Sequence, residues 1–402
     1  MTDASWWDDA RYGLFVHWGV MSLPARGDWV MHREHIPVAD YERLGERFTA
    51  EAWDPVAQAA LAVRAGMRYA VLVTRHHDGF CLWDTTTDHF KATNTPAGRD
   101  LVAEWVDAFR AAGLRVGLYY SLLDWRAEAY WRGPSADTEG WAAFRERVHA
   151  QVRELLTGYG DIATLWYDGF WRHSGEAWGS LELEAMAREL QPGILVNDRS
   201  GIPGDFVTPE QSISVLPPFG RWEACMTTND TWGWHATDHR WKSPEQIVRA
   251  LVVCAAGAGN LLLNIGPKGD GSLPEPGVAL LDVVGDWLTV NGASIYGTTR
   301  SPWLAHAYGV MTCTPGRLYL HCFSWPADGE ITLGFLASRA TGGRLLTDGR
   351  TVTVRQHDDV LTVRDLPDAA PDPFDTVVEI DLDGGPEALP GSYVFWAGEA
   401  RY

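Results

Sequence analysis

The sequence predicts an α/β fold: a (β/α)8-like barrel over residues 1–300, followed by an antiparallel β-sandwich over 301–402. Three observations carry that reading. Short runs rich in β-branched and aromatic residues alternate with helical patterns, giving eight strand candidates over about 290 residues. Polar, chemistry-bearing residues collect where those runs end, as on the active face of a barrel. After Tyr296 the helical patterns stop, and strand-length runs separated by Gly, Pro or Asp take over.

LFVHW (14–18) is the first strand. Asp54 then caps a helix with Pro55 at its first position and Gly66 at its end. YAVLVT (69–74) is the second strand. Asp100 caps a helix over 101–112, closed by Gly113. Residues 116–120 form the third strand, and a long helix spans about 140–159. ATLWYDGFW (163–171) contains the fourth strand, 164–167. It reads as a strand buried on both faces that opens into a loop at Asp168 and Gly169. A helix over 181–190 and a fifth strand over 194–197 follow. Residues 206–208 and 223–226 are short strands with no clear helix between them. Ser243-Pro244-Glu245-Gln246 is a capping box that starts a helix to about 258. NLLLNI (260–265) is the eighth strand, and 276–291 the last helix. The expected sandwich strands are 318–323, 330–333, 343–346, 352–355, 360–363, 377–380 and 392–396, and the sandwich is expected to buttress the barrel.

Composition narrows the function. The chain of 402 residues carries 53 acidic against 33 basic side chains, a net charge of −20. No Lys/Arg cluster tracks phosphates, so nucleic acid is not an expected partner, and an acidic surface disfavours anionic membranes. No apolar run approaches a membrane span. The N-terminal MTDASWWDDARYG lacks a signal-peptide core, so the expected location is cytoplasmic. Five cysteines without a CxxC spacing argue against a disulfide framework and a structural zinc site. Of 21 tryptophans, 19 lie at or before Trp303. Most must be packing residues, but indole is also the best plate for the C–H face of a sugar.

The strand ends supply the site candidates. They are His17 and Trp18, His76-His77-Asp78, Tyr119 to Ser121, Asp168, Asn197 to Arg199, Glu210, Glu223 and Asn264. Asp168 sits among Trp166, Phe170 and Trp171, as suits a carboxylate that must meet positive charge at a sugar carbon. It also fits a plain loop residue or helix cap. His17 fits a buried core histidine as well as a ligand. The His76-His77 pair has a rival use as metal ligands, but the acidic residues are not spaced as a metal cage, so no metal is expected. Trp18, Trp29, Trp83, Trp166, Trp171 and Trp232 are packing residues or sugar platforms. There is no GxSxG, P-loop, GxGxxG or HExxH.

Ordered blocks over about residues 6–300 then resemble a known family. They are GLFVHWG (13–19), GDWV (27–30), RHHDGFCLWD (75–84), GRDLV (98–102), GLYYSLLDW (117–125), LWYDG (165–169), VNDR (196–199), DFVTPE (205–210), RWEACMT (221–227), WGW (232–234), GNLLLNIGP (259–267) and DWLTVNGASIYGT (286–298). Together they resemble the retaining α-L-fucosidases of glycoside hydrolase family 29. The resemblance implies an exo-acting enzyme on terminal α-L-fucosyl residues of oligosaccharides or glycosides, with no cofactor. It implies Asp168 as nucleophile and Glu210 as acid/base, with Glu223 the second candidate because that position is the family's least regular. It implies that His17, His76, His77 and Tyr119 bind fucose hydroxyls, that Arg199 lies beside the nucleophile, and that Trp166 and Trp232 wall the sugar. Asp28-Trp29 stands where the family has Glu-Trp, one methylene longer. The contact to the 3- and 4-hydroxyl region is therefore expected to be weaker or water-mediated, and a related sugar such as an α-L-galactoside stays open.

Retention requires two carboxyl groups ~5–5.5 Å apart. Asp168 must ionise, so Arg199 and histidine donors are expected to hold its pKa down. Glu210 must start protonated, so a drier site is expected around it. Two other readings stay open: a non-catalytic fucose-binding protein, and a metal-dependent hydrolase using His17, His76 and His77. Linkage tolerance is expected to depend on loops outside the first sugar subsite, notably 126–140 and 211–242. Oligomerisation is left open.

Overall fold

The structure, a computed structural model, describes residues 3–213 and 220–392. Seven strands form one parallel sheet: β1 (Tyr12–Val16), β2 (Tyr69–Arg75), β3 (Arg115–Ser121), β4 (Thr164–Asp168), β5 (Leu195–Val196), β6 (Glu223–Thr227) and β7 (Asn260–Ile265). Their order is β5-β4-β3-β2-β1-β7-β6, so the sheet curls with β5 and β6 at its edges. Nearly every residue on these strands is buried, because helices cover one face and the other lines the interior.

The expected closed ring of eight strands is corrected at one place. Residues 206–208 form no ladder. Phe206 and Val207 instead make single parallel bridges to Asn197 and Trp222, and Glu210 bridges to Cys225. Pro203 and Pro209 flank this run, and proline cannot donate to a ladder. The two sheet edges therefore meet through isolated bridges.

The helices start where their caps predict. Asp54 accepts from Ala57 N ahead of the helix Pro55–Arg64, and Asp100 accepts from Ala103 N ahead of Leu101–Ala111. Ser243 and Gln246 make the reciprocal capping box of Pro244–Ala256. Thr138–Gly158, Ser180–Leu190 and Glu275–Asn291 complete the longer helices. Among the described residues, no helix is long and apolar enough to cross a membrane.

The C-terminal strands are β8 (Thr299–Arg300), β9 (Gly309–Thr314), β10 (Arg317–Cys322), β11 (Ile331–Leu333), β12 (Arg339–Leu345), β13 (Thr353–His357), β14 (Val360–Arg364) and β15 (Thr376–Asp383). They form two antiparallel sheets, ordered β12-β15-β10-β9-β8 and β11-β14-β13. β8 and β9 were not among the expected strands. The expected strand 392–396 lies outside the described residues except for Ser392. Side chains alternate along the larger sheet. Leu318, Leu320, Val378 and Ile380 face a core shared with Leu361 and Val363 of the smaller sheet. Tyr319, Val310 and Val377 face the other way and join the main core. Arg249 ties the two parts by donating to the carbonyls of Phe323 and Phe374.

Candidate active site

The carboxyl ends of the parallel strands surround a well of about 180 Å³. Its wall contains His17, Asp28, Trp29, His76, His77, Tyr119, Trp166, Asp168, Arg199, Glu210 and Trp232. Of the residues to which the resemblance gives a role, Glu223 alone lies outside it; of the other strand-end candidates, Trp18, Asp78, Tyr120, Ser121, Asn197, Asp198 and Asn264 do not line it. Phe15, Trp171 and Cys225 complete the lining. Phe15 was legible in principle, because it lies two residues before His17 and so projects to the same face.

Asp168 closes β4. Gly169 follows at φ +76°, a conformation that favours glycine, and a Cβ there would meet Leu123 Cγ and Ser121 Oγ at 2.9 Å. The turn fixes where the carboxylate points. Tyr119 OH donates to Asp168 Oδ2 at 2.9 Å, and Arg199 Nη1 donates to Oδ1 at 3.3 Å. The carboxylate is 11% exposed. Burial pushes its pKa up, against Arg199, Tyr119 and the Gly169 N–H, which pull it down. The net direction is upward, which corrects the expectation that donors would hold it down.

Arg199 also reaches the second carboxylate: its Nη1 lies 2.8 Å from Glu210 Oε2. One guanidinium nitrogen thus touches both acids, so those two oxygens are at most about 6 Å apart, a spacing fit for a retaining pair. Arg199 is itself held by Thr208, through Nε to Oγ1 at 2.8 Å and Nη2 to the carbonyl at 3.0 Å. Its Cζ sits 4.8 Å from the centre of the Trp166 ring. Trp232 Nε1 donates to Glu210 Oε1 at 3.1 Å. Glu210 is 42% exposed, so the dry environment expected for it is absent. The reason is its place on the bridge stretch at the rim, not on a strand.

Glu223 lies under the well. It begins β6 instead of ending it, opposite Asn260 at the amino end of β7. It accepts from Tyr69 OH and, at 3.0 Å, from Trp166 Nε1. Burial raises its pKa to about 7. It touches the site only through the back of Trp166.

The histidines are neutral. Burial lowers His17 and His77 to about 3 and lowers His76 in the same direction. Their tautomers follow from the network. Asn264 Nδ2 donates to the Trp232 carbonyl at 2.7 Å, which turns Asn264 Oδ1 toward His17 Nδ1, 2.7 Å away. Ser121 Oγ donates to the Leu123 carbonyl at 3.0 Å and accepts from His77 Nδ1 at 2.7 Å. Both imidazoles therefore carry hydrogen on Nδ1 and keep Nε2 as an acceptor. His77 Nε2 faces Asp168 Oδ2 at 3.6 Å. Asp28 Oδ1 accepts from Gly233 N at 3.0 Å, while Oδ2 has no hydrogen-bond partner and stops 3.8 Å from His76 Nε2. Burial pushes the Asp28 carboxyl up. Among the described residues, no three His, Cys, Asp or Glu side chains converge to hold a metal ion.

A curled parallel sheet with paired acids and indole walls in a monosaccharide-sized well defines a glycoside hydrolase. The comparisons make this specific. The family model described as alpha-L-fucosidase matches residues 2–293. The alpha-L-fucosidase isoenzyme 1 of Paenibacillus thiaminolyticus is 40% identical, with a TM-score of 0.88 over 94% of this chain and 98% of that one. The alpha-fucosidase of Thermotoga maritima is 30% identical, with a TM-score of 0.81 over 94% of this chain and 96% of that one. The alpha-L-fucosidase of Branchiostoma floridae is 30% identical over 373 residues, 84% of this chain and 82% of the relative. The chain belongs to the α-L-fucosidase family, family 29 of the glycoside hydrolases.

Proposed function

We propose that this enzyme is a retaining, exo-acting α-L-fucosidase that works by double displacement, with Asp168 as nucleophile and Glu210 as general acid/base. The observation that carries this reading is the shared contact of both carboxylates with Arg199 Nη1. In the first step an Asp168 oxygen bonds to the anomeric carbon as the glycosidic C–O bond breaks, and Glu210 gives its proton to the departing oxygen. In the second step Glu210 takes a proton from water, the water oxygen bonds to the anomeric carbon, and the ester to Asp168 breaks. Arg199 and Tyr119 fix the nucleophile and balance its charge as it forms and leaves the ester. Phe15, Trp166 and Cys225 in the wall leave space for one sugar ring, which supports exo action. The Thermotoga maritima fucosidase is known in complex with a mechanism-based inhibitor, which supports a covalent route for this relative of it.

The unpartnered Asp28 Oδ2, 3.8 Å short of His76, favours a second reading within the same chemistry: tolerance of a related sugar such as an α-L-galactoside. Turnover of an aryl α-L-fucoside tests the main reading. Asp168→Asn should lower it by several orders of magnitude with the unfolding midpoint retained. Near-normal turnover in that variant would remove Asp168 from the nucleophile role.

A further inference from the structure

Beside the well the rings do not stop. Trp29 and Trp171, both in its wall, lie nearly parallel at 6.5 Å and 14°. Trp125 stands edge-on to Trp29 at 5.2 Å. His32 lies nearly parallel to Trp125 at 5.2 Å, and Trp131 nearly parallel to His32 at 5.8 Å. An unbroken row of rings thus runs from the well to Trp131, which is 39% exposed. Trp131 Nε1 already donates to the Trp125 carbonyl at 2.8 Å, so what it offers outward is ring surface, not a polar edge.

Two guanidinium groups flank this row. Arg172 sits at φ +76°, a strained conformation for a side chain with a Cβ, and holds its Cζ 5.1 Å from the Trp131 ring and 5.9 Å from that of Tyr130. Arg33 holds its Cζ 6.0 Å from the Trp29 ring. Among the described residues neither has a carboxylate partner, although the chain carries a net charge of −20.

We propose that this row, ending on Trp131 and Arg172, is a docking site for the saccharide to which fucose is attached, and that it favours a saccharide bearing a carboxylate or sulfate. The proposal rests on the fucosidase reading. The well has space for one ring, so the remainder of a substrate lies outside it, and the row that continues from the wall at Trp29 and Trp171 offers it aromatic surface. Indole surface recognises sugar C–H faces, and a free guanidinium recognises a planar or tetrahedral oxyanion through paired N–H donors.

The test compares wild type, Trp131→Ala and Arg172→Gln on three substrates. These are an aryl α-L-fucoside, a neutral fucosyl-oligosaccharide, and the same oligosaccharide sulfated on the sugar next to fucose. Wild type should prefer the sulfated oligosaccharide. Trp131→Ala should lower kcat/KM about tenfold on both oligosaccharides and leave the aryl fucoside unchanged. Arg172→Gln should lower it about fivefold on the sulfated one alone. Equal losses on all three substrates, or none, would overturn the proposal. If wild type cleaves no fucoside, the parent reading fails instead. The row of rings is then read by titrating the sulfated oligosaccharide without fucose and following tryptophan fluorescence. Binding weakened by both substitutions upholds it, and binding unaffected by them overturns it.

Discussion

Replacing Glu223 by Gln removes a buried carboxyl that the fold holds near neutrality. Its pKa is about 7 in the folded protein against 4.5 for an ordinary glutamate, and burial is the cause, since the bonds from Tyr69 and Trp166 pull the other way. The folded state therefore binds more protons than the unfolded state between those values. The stability this group contributes is complete below pH 4.5 and is lost as pH rises through about 7. At ~1.36 kcal/mol per unit the whole swing is about 3 kcal/mol. Urea unfolding of both proteins between pH 4.5 and 8 reads the effect. His17 and His77 titrate identically in the two proteins and cancel in the difference. Wild type should lose about 3 kcal/mol relative to Glu223→Gln across the series, on top of a constant offset from the misplaced amide. A pH-independent difference, or one of opposite sign, would refute the claim that burial dominates at this site.

The acid/base assignment is checked on the other glutamate. Glu210→Ala should slow substrates with poor leaving groups most, and azide should restore turnover as a replacement nucleophile. If Glu223→Ala shows the rescue instead, the role moves there. Asp28→Glu adds the methylene that spans toward His76, so the kcat/KM ratio of aryl α-L-fucoside over aryl α-L-galactoside should rise. An unchanged ratio would mean this pair does not read the sugar. Ser121→Ala removes the acceptor that fixes His77 Nδ1–H, so KM should rise several-fold with a smaller change in kcat, and Ser121→Thr should recover it. A loss of thermal stability with unaltered KM would make Ser121 merely structural.

What the sequence disclosed and what it concealed divide along the range of the interactions. Asp54, Asp100 and Ser243 announce helix starts because a cap bonds within three residues of itself. Seven of the parallel strands were legible because burial on both faces writes a continuous apolar run. Residues 206–208 read as an eighth because the run itself is apolar, while the prolines that cut its ladder lie just outside it. Glu223 entered the candidates as the acid at the expected strand 223–226 and as the second choice for an acid/base position that the resemblance leaves irregular. It shares a face with Cys225 two residues on, but it lies at the amino end of β6, one step below the well that Cys225 lines. The upward shift of Asp168 and the exposure of Glu210 depend on what packs around them from distant segments, and no local pattern encodes either.

Burial acts in opposite senses on the two kinds of titratable group in the well, and the consequence is recognition. It strips His17 and His77 of charge and pushes Asp168 up, yet three donors keep that carboxylate aimed and paired. His77 then presents a lone pair, not a proton, toward Asp168 Oδ2 at 3.6 Å. Two acceptors facing each other in a largely buried wall are unfavourable until a donor comes between them, and a sugar hydroxyl is such a donor. His17 Nε2, left as an acceptor by the Nδ1 bond to Asn264, is a second group in the wall that a hydroxyl can satisfy. A sugar lacking one of these hydroxyls leaves a buried acceptor unpaired, at a cost of ~1–3 kcal/mol, or about ten- to a hundred-fold in affinity. Selectivity in this well thus arises less from charge than from acceptors that only a correctly hydroxylated ring can satisfy.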